Sequence, residues 1–132
     1  MDVGTGAGLP GIPLKICYPD LFVLLIEVNR KKIAFLEEVI ETLKMKSIEI
    51  YPLDWRTFLR KTTYQVDMIC ARASLKPVEL IRMFKPSSPY KNARLLYWAS
   101  AQWRPGKKEQ PFVEKEILYT IGNKTRKLIF FS

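Results

Sequence analysis

Asp2-Val3-Gly4-Thr5-Gly6-Ala7-Gly8-Leu9-Pro10-Gly11-Ile12-Pro13 is the stretch whose reading decides the fold. Glycines stand at 4, 6, 8 and 11, four within eight residues, between an acidic residue and an apolar run. Glycine reaches backbone conformations closed to other residues and lets a ligand lie against the main chain. Asp2-Val3 reads as the end of a first strand, Gly4, Gly6 and Gly8 as a turn, and Pro13 as preset for an early helical position. In a doubly wound α/β sheet, ligands bind beyond the carboxyl ends of the strands, where such a loop lies. The helix start adds N–H donors that have no partner within the helix.

Working outward, strand-like and helix-like segments alternate. Phe22-Val23-Leu24-Leu25-Ile26 is a continuous apolar run ending at Glu27, as in strands buried on both faces. Asn29 is placed to cap a helix over about 30–44, where Ile33, Leu36, Val39, Ile40 and Leu43 recur at helical spacing. Ile48 to Tyr51 reads as a short strand, 54–59 as a short helix and 66–71 as another apolar strand. Ser74 is expected to cap a helix reaching about Phe84, with Pro77 in its first turn. Leu95 to Trp98 follows as a strand and 104–111 as a loop. Strands over about 113–121 and 126–131 flank Gly122-Asn123, a hairpin signal. The expectation is an α/β fold: a mostly parallel, doubly wound sheet closed by a C-terminal antiparallel hairpin, with 1–132 as one domain.

Composition narrows the function. With 132 residues and 48% hydrophobic content, the chain can bury a core. No apolar run approaches the ~20 residues a membrane helix needs. The first residues lack the basic and apolar regions of a secretory signal, so a cytoplasmic protein is expected. Cys17 and Cys70 lie far apart and outside any C-x-x-C pair, and are expected to be reduced core thiols. There are no histidines and only two cysteines, so no metal site is expected. A formal net charge of +9 favours a polyanionic partner, RNA above all.

The glycines alone leave two ligands open. Counting G-x-G-x-x-G from Gly6 succeeds through Gly8 and Gly11, and Glu27 supplies the acid about 20 positions on that a dinucleotide site needs. Glu27 serves S-adenosylmethionine equally well, by accepting hydrogen bonds from ribose hydroxyls. Asp2 favours the second ligand. A carboxylate two residues before the first glycine can attract the α-ammonium of S-adenosylmethionine, whereas a dinucleotide site usually has an apolar residue there.

The stretch 2–14 closely resembles the loop of the RsmG family, also called GidB, and its Leu-Pro-Gly-Ile-Pro extension is more specific than a generic glycine loop. Lys31-Lys32-Ile33-Ala34-Phe35-Leu36, Ala71-Arg72-Ala73, Lys85-Pro86 and Thr125-Arg126-Lys127-Leu128-Ile129 extend the resemblance over nearly the whole chain. It implies a Rossmann-like class I S-adenosylmethionine-dependent methyltransferase fold. It also implies an activity, methylation of guanine N7 in 16S-type small-subunit ribosomal RNA, with S-adenosyl-L-methionine as cofactor. The family's cofactor contacts fall on Gly4 and Leu9, on Trp55 and Arg56 after the third strand, and on Arg72 after the fourth. With the residues read from the loop itself, the expected cofactor set is Asp2, Gly4, Gly6, Gly8, Leu9, Glu27, Trp55, Arg56 and Arg72. At 56 the family usually carries an acid. Family members also carry a helical segment before the first strand, so an N-terminally truncated domain is expected.

Guanine N7 has an in-plane lone pair and no proton, so no general base is required and no catalytic side chain is assigned. The main tasks are alignment of nitrogen, methyl carbon and sulfur, and exclusion of water. The partner is expected to be ribosomal RNA or the small ribosomal subunit, met by a monomer. Candidate RNA contacts are Arg30, Lys31 and Lys32, and a second cluster of Arg104, Lys107 and Lys108 in which Trp103 offers a stacking surface for a splayed base. A non-catalytic RNA-binding remnant and a nucleotide-binding oxidoreductase are the alternatives left open.

Overall fold

The computed structural model describes residues 1–132. Its strands are β1 (Asp2–Val3), β2 (Val23–Ile26), β3 (Ile48–Tyr51), β4 (Met68–Arg72), β5 (Arg94–Ser100), β6 (Val113–Ile121) and β7 (Lys124–Phe131). The helices are α1 (Gly11–Cys17), α2 (Arg30–Thr42), α3 (Trp55–Lys61) and α4 (Pro77–Leu80), the last running on as a 3-10 turn over Ile81–Phe84. One sheet of seven strands has the order β3-β2-β1-β4-β5-β7-β6. The first five strands pair in parallel, while β7 pairs antiparallel with both β5 and β6. The doubly wound sheet with its closing hairpin is therefore as expected. The chain leaves β1 toward β2 on one side and toward β4 on the other, so the topological switch lies at β1.

Alternation along the strands divides the core. Leu24 and Ile26 of β2 join Val3, Ile69 and Ala71 on one face, covered by Trp55 and Phe58 of α3, Leu80 of α4 and Met83 of the following turn. Val23 and Leu25 point the other way, against Ile12 of α1 and Leu36 of α2. Phe58 is the hub of the first layer. Its ring lies 5.1 Å, edge-on, from Tyr51 and stacks on Trp55, Tyr64 and Tyr90. Asn29 caps α2 by accepting the Lys32 N–H at 3.1 Å.

Several expectations shift. The helix expected from Ser74 begins instead at Pro77, with Lys76 at its cap and no side-chain cap bond. Ala73 takes a left-handed φ of +51°, which turns the chain out of β4 before any helix can start. β5 runs two residues further than its apolar stretch, to Ser100, because β7 pairs with it from Leu95 to Ser100↔Arg126. The loop before β6 ends in a 3-10 turn at Gln110–Phe112. Gly122 alone in the β6–β7 turn has a positive φ, +60°, the type II′ pattern. Cys70 is buried, and that burial pushes its thiol up to about 11. Cys17 is exposed at the end of α1 rather than in the core. No helix is long and apolar enough to cross a membrane.

Candidate functional site

The glycine loop rises from the carboxyl end of β1 and is held from three sides. Gly4, Gly6 and Gly8 all have left-handed φ, at +65°, +61° and +89°. Close packing explains two of them. A β-carbon on Gly4 would lie 2.4 Å from Cβ of Ser74, and one on Gly8 would lie 2.4 Å from Cδ1 of Ile12. Gly6 differs, because a β-carbon there meets no atom within 4 Å. Its flank is open to a ligand, while its neighbours are glycine for the sake of the fold.

Asp2 organises the base of this loop. It is only 2% exposed, and its Oδ2 accepts from Thr5 Oγ1 at 2.5 Å and from the Gly11 N–H at 2.9 Å. It thereby closes the loop on itself and captures a free donor at the start of α1. Its Oδ1 is buried without a hydrogen-bond partner. Burial holds the carboxyl above its ordinary range, against the opposing pull of the Thr5 and Gly11 hydrogen bonds and, more weakly, of the chain's amino terminus and Arg72. An unpaired buried carboxylate oxygen is costly, and a cationic donor such as an ammonium satisfies it.

Glu27 stands at the end of β2, also buried. Its Oε1 accepts from the N–H groups of Val28 and Asn29, both at 2.9 Å, and its Oε2 accepts from the Gly6 N–H at 2.9 Å. The second acid is thus fixed in orientation and aimed across the mouth of the glycine loop. Ribose hydroxyls approaching it can use the remaining lone pairs or replace the Gly6 bond. With the loop opened enough to expose the buried Asp2 Oδ1 and to free Glu27 from Gly6, the two acids suit an adenosine carrying an ammonium, so the residues present fit S-adenosylmethionine.

Arg72 ends β4 and is exposed, with no ion-pair or hydrogen-bond partner. The strand end puts its guanidinium in water, which removes the cost expected of an unpaired cation in an apolar run. It belongs to the β4–α4 turn that packs on Gly4 through Ser74, and its charge is felt at Asp2. Leu9 lies on the rim, 41% exposed.

On the third side, Trp55 is 3% exposed. Its ring stacks on Phe58 and its Nε1 donates to the Glu79 carbonyl at 3.0 Å. The indole is core, and the apolar surface expected beside an adenine is not offered by its ring. Arg56 turns to Glu79, donating from Nε at 3.0 Å and from Nη2 at 2.9 Å, and Arg82 shares the same carboxylate oxygen at 3.2 Å. Both side chains of this segment are thus engaged within the fold. Glu79 carried no signal in the sequence, since only the packing of α3 on α4 brings it to Arg56.

The basic candidates lie on this end of the sheet in two groups. Arg30, Lys31 and Lys32 are exposed in the first turn of α2. Arg104, Lys107 and Lys108 are exposed in the turn after β5. Trp103 is half-buried, its ring centroid 6.0 Å from Tyr97 and 6.3 Å from Phe131. It packs on the sheet and is not the free stacking surface expected. Thr5 and Ser74 were missed by sequence reading, because each acts only through the folded loop. A cavity of about 530 Å³ opens toward the other end of the sheet, lined by Leu21, Val23, Val66 and Met68 and reaching Asp2 and Gly11 at the base of the loop, while none of Gly4, Gly6 and Gly8 borders it.

Comparison with known proteins follows the same line. The model of the family described as rRNA small subunit methyltransferase G matches residues 1–121. A ribosomal RNA small subunit methyltransferase G of Lachnoclostridium phytofermentans is 42% identical over 88 residues, 65% of this chain and 36% of that protein. The protein of that name from Legionella pneumophila is 43% identical over 82 residues, 62% of this chain and 38% of that one. The chain thus spans little more than a third of these relatives' length. Among solved structures, a mutant of MtNAS in complex with S-adenosylmethionine superimposes with a TM-score of 0.74 at 16% identity, covering 99% of this chain and 53% of that one. TrmK of M. capricolum in complex with S-adenosyl-homocysteine gives 0.70 at 12% identity, covering 99% and 60%. The human methyltransferase 10 domain containing protein gives 0.73 at 17%, covering 99% and 70%. At these identities the likeness carries the fold, that of class I methyltransferases.

Proposed function

Since the chain belongs to the rRNA small subunit methyltransferase G family, we propose that it binds S-adenosylmethionine at the glycine loop and methylates N7 of a guanine in small-subunit ribosomal RNA, in the cytoplasm. The observation that carries this reading is the pairing of the open flank at Gly6 with an unpartnered buried oxygen on Asp2. A pyrophosphate brought to the same place would meet a carboxylate of its own sign.

In this reading Glu27 orients the ribose, Asp2 draws the ammonium, and the bare peptide from Gly4 to Gly8 admits the nucleoside. The first turn of α3 contributes N–H groups at Trp55 and Arg56. When bound, the cofactor supplies an electrophilic sulfonium methyl, which guanine N7 takes up through its in-plane lone pair. No residue has to remove a proton, in keeping with a chain that contains no histidine. The protein's part is alignment and exclusion of water. Arg72, unpaired at the end of β4, is placed to meet RNA or cofactor at the switch point. Arg30, Lys31, Lys32, Arg104, Lys107 and Lys108 hold phosphates.

Calorimetric titration of the chain with S-adenosylhomocysteine and with NAD, followed by transfer of labelled methyl groups to 16S rRNA, tests the reading. The expected result is uptake of the first ligand only, and label on guanine N7. Uptake of NAD alone would overturn it in favour of an oxidoreductase. RNA binding with neither ligand would favour a non-catalytic remnant.

A further inference from the structure

Along β7 the side chains of Lys127, Ile129 and Phe131 share one face by strand alternation, and all three are buried. Two belong to the hydrophobic core. The third is a lysine whose side chain is only 5% exposed. A charge on a core-facing position needs partners, and it has two. Its Nζ lies 2.7 Å from Glu116 Oε2 on β6 and donates to the Trp103 carbonyl at 3.1 Å.

The Trp103 carbonyl also accepts from Arg104 Nη1 at 2.9 Å, and the same nitrogen donates to Ala101 O at 3.0 Å. One backbone oxygen thus receives a buried cation from below and an exposed cation from above. The turn after β5 is fastened to the sheet through its main chain, just where Arg104 and then Lys107 and Lys108 enter solvent. Burying an ion pair contributes little net stability compared with an apolar pair of the same shape. Stability therefore does not account for a lysine at this position.

We propose that Lys127, paired with Glu116, is a positioning residue for substrate RNA: a buried latch that fixes the Trp103–Lys108 turn and so sets the grip of its cations on phosphate, without touching RNA itself. This rests on the reading that RNA is the substrate. Glu116 holds the ammonium in place, and Trp103 contributes its carbonyl and its packing on Phe131 rather than a stacking face.

The test compares wild type, Lys127→Arg, and the double variant Glu116→Leu/Lys127→Met, which removes the latch without stranding a buried charge. Three quantities are measured: amide hydrogen exchange over 101–108, affinity for a 16S rRNA transcript, and affinity for S-adenosylhomocysteine. In the double variant, exchange in the turn rises about tenfold and RNA affinity falls about tenfold, while S-adenosylhomocysteine affinity stays within twofold. Lys127→Arg recovers most of both losses. Unchanged exchange in the double variant would overturn the latch. Faster exchange with unchanged RNA affinity would overturn its role in RNA grip. A wild-type chain that binds no RNA would instead sink the substrate reading, and with it the RNA half of the proposal, while the exchange result would still decide the latch.

Discussion

Gly6→Ala separates the needs of the fold from those of the ligand. At φ +61° an alanine is strained, by about 1–2 kcal/mol. The stiffer unfolded chain returns about 0.4–1 kcal/mol of this. The added β-carbon meets no atom within 4 Å, so no clash follows. The net loss is about 1 kcal/mol, a fall in Tm of about 4 °C for a chain of this size. The new methyl group, however, stands on the flank where the nucleoside is read to lie. Overpacking of this kind costs about 1–3 kcal/mol, or roughly 5- to 150-fold in affinity. Gly4→Ala is the contrasting case, since its β-carbon would sit 2.4 Å from Ser74 Cβ and the β4–α4 turn has to move. Thermal melts and titration with S-adenosylhomocysteine, run on both variants, give the two readouts. A Gly6→Ala chain that melts a few degrees lower yet binds S-adenosylhomocysteine within twofold of wild type would refute the assignment of that flank to the cofactor.

Burial raises the Asp2 carboxyl above its ordinary range, so the native chain holds that proton more tightly than the unfolded chain does. The stability linked to it is complete below the ordinary carboxylate range, fades as pH rises through the raised native value, and is absent at neutral pH. Melts of Asp2→Asn across that window are therefore expected to show wild type losing ground to the variant as pH rises, while S-adenosylhomocysteine affinity of the variant at neutral pH falls about tenfold. Arg56 spends its guanidinium on Glu79 at an exposed site; Arg56→Ala is expected to change stability by less than about 1 kcal/mol and cofactor affinity by less than twofold, by melt and titration. Phe58, fully buried among four aromatic rings, is the costly truncation, and denaturant unfolding of Phe58→Ala is expected to show a loss of about 3–5 kcal/mol.

What could be read from the sequence was local. The β2 run, the Asn29 cap, the 113–121 strand and the Gly122-Asn123 turn each carry their signal within a few residues, and each lies where expected. The glycine loop was legible because Asp2, Gly4, Gly6 and Gly8 fall at alternate positions of one short stretch. Trp55, Trp103 and Cys17 were misplaced because exposure depends on what packs above a residue. The same indole is a ligand surface or core according to whether Phe58 or Phe131 lies beside it. Ser74 reads as a helix cap until the left-handed Ala73 is known. Lys127 was not legible as a core-facing charge, because Thr125 and Arg126 precede it and its partners Glu116 and Trp103 come from other elements.

The cofactor cradle meets its most direct test in a crystal structure of the chain with S-adenosylhomocysteine. The expected density places adenosine along the Gly4–Gly8 backbone, with the ribose hydroxyls on Glu27 and the amino group supplying the donor that Asp2 Oδ1 lacks. Density elsewhere, or a loop still closed with Gly6 bonded to Glu27 at saturating ligand, would contradict it.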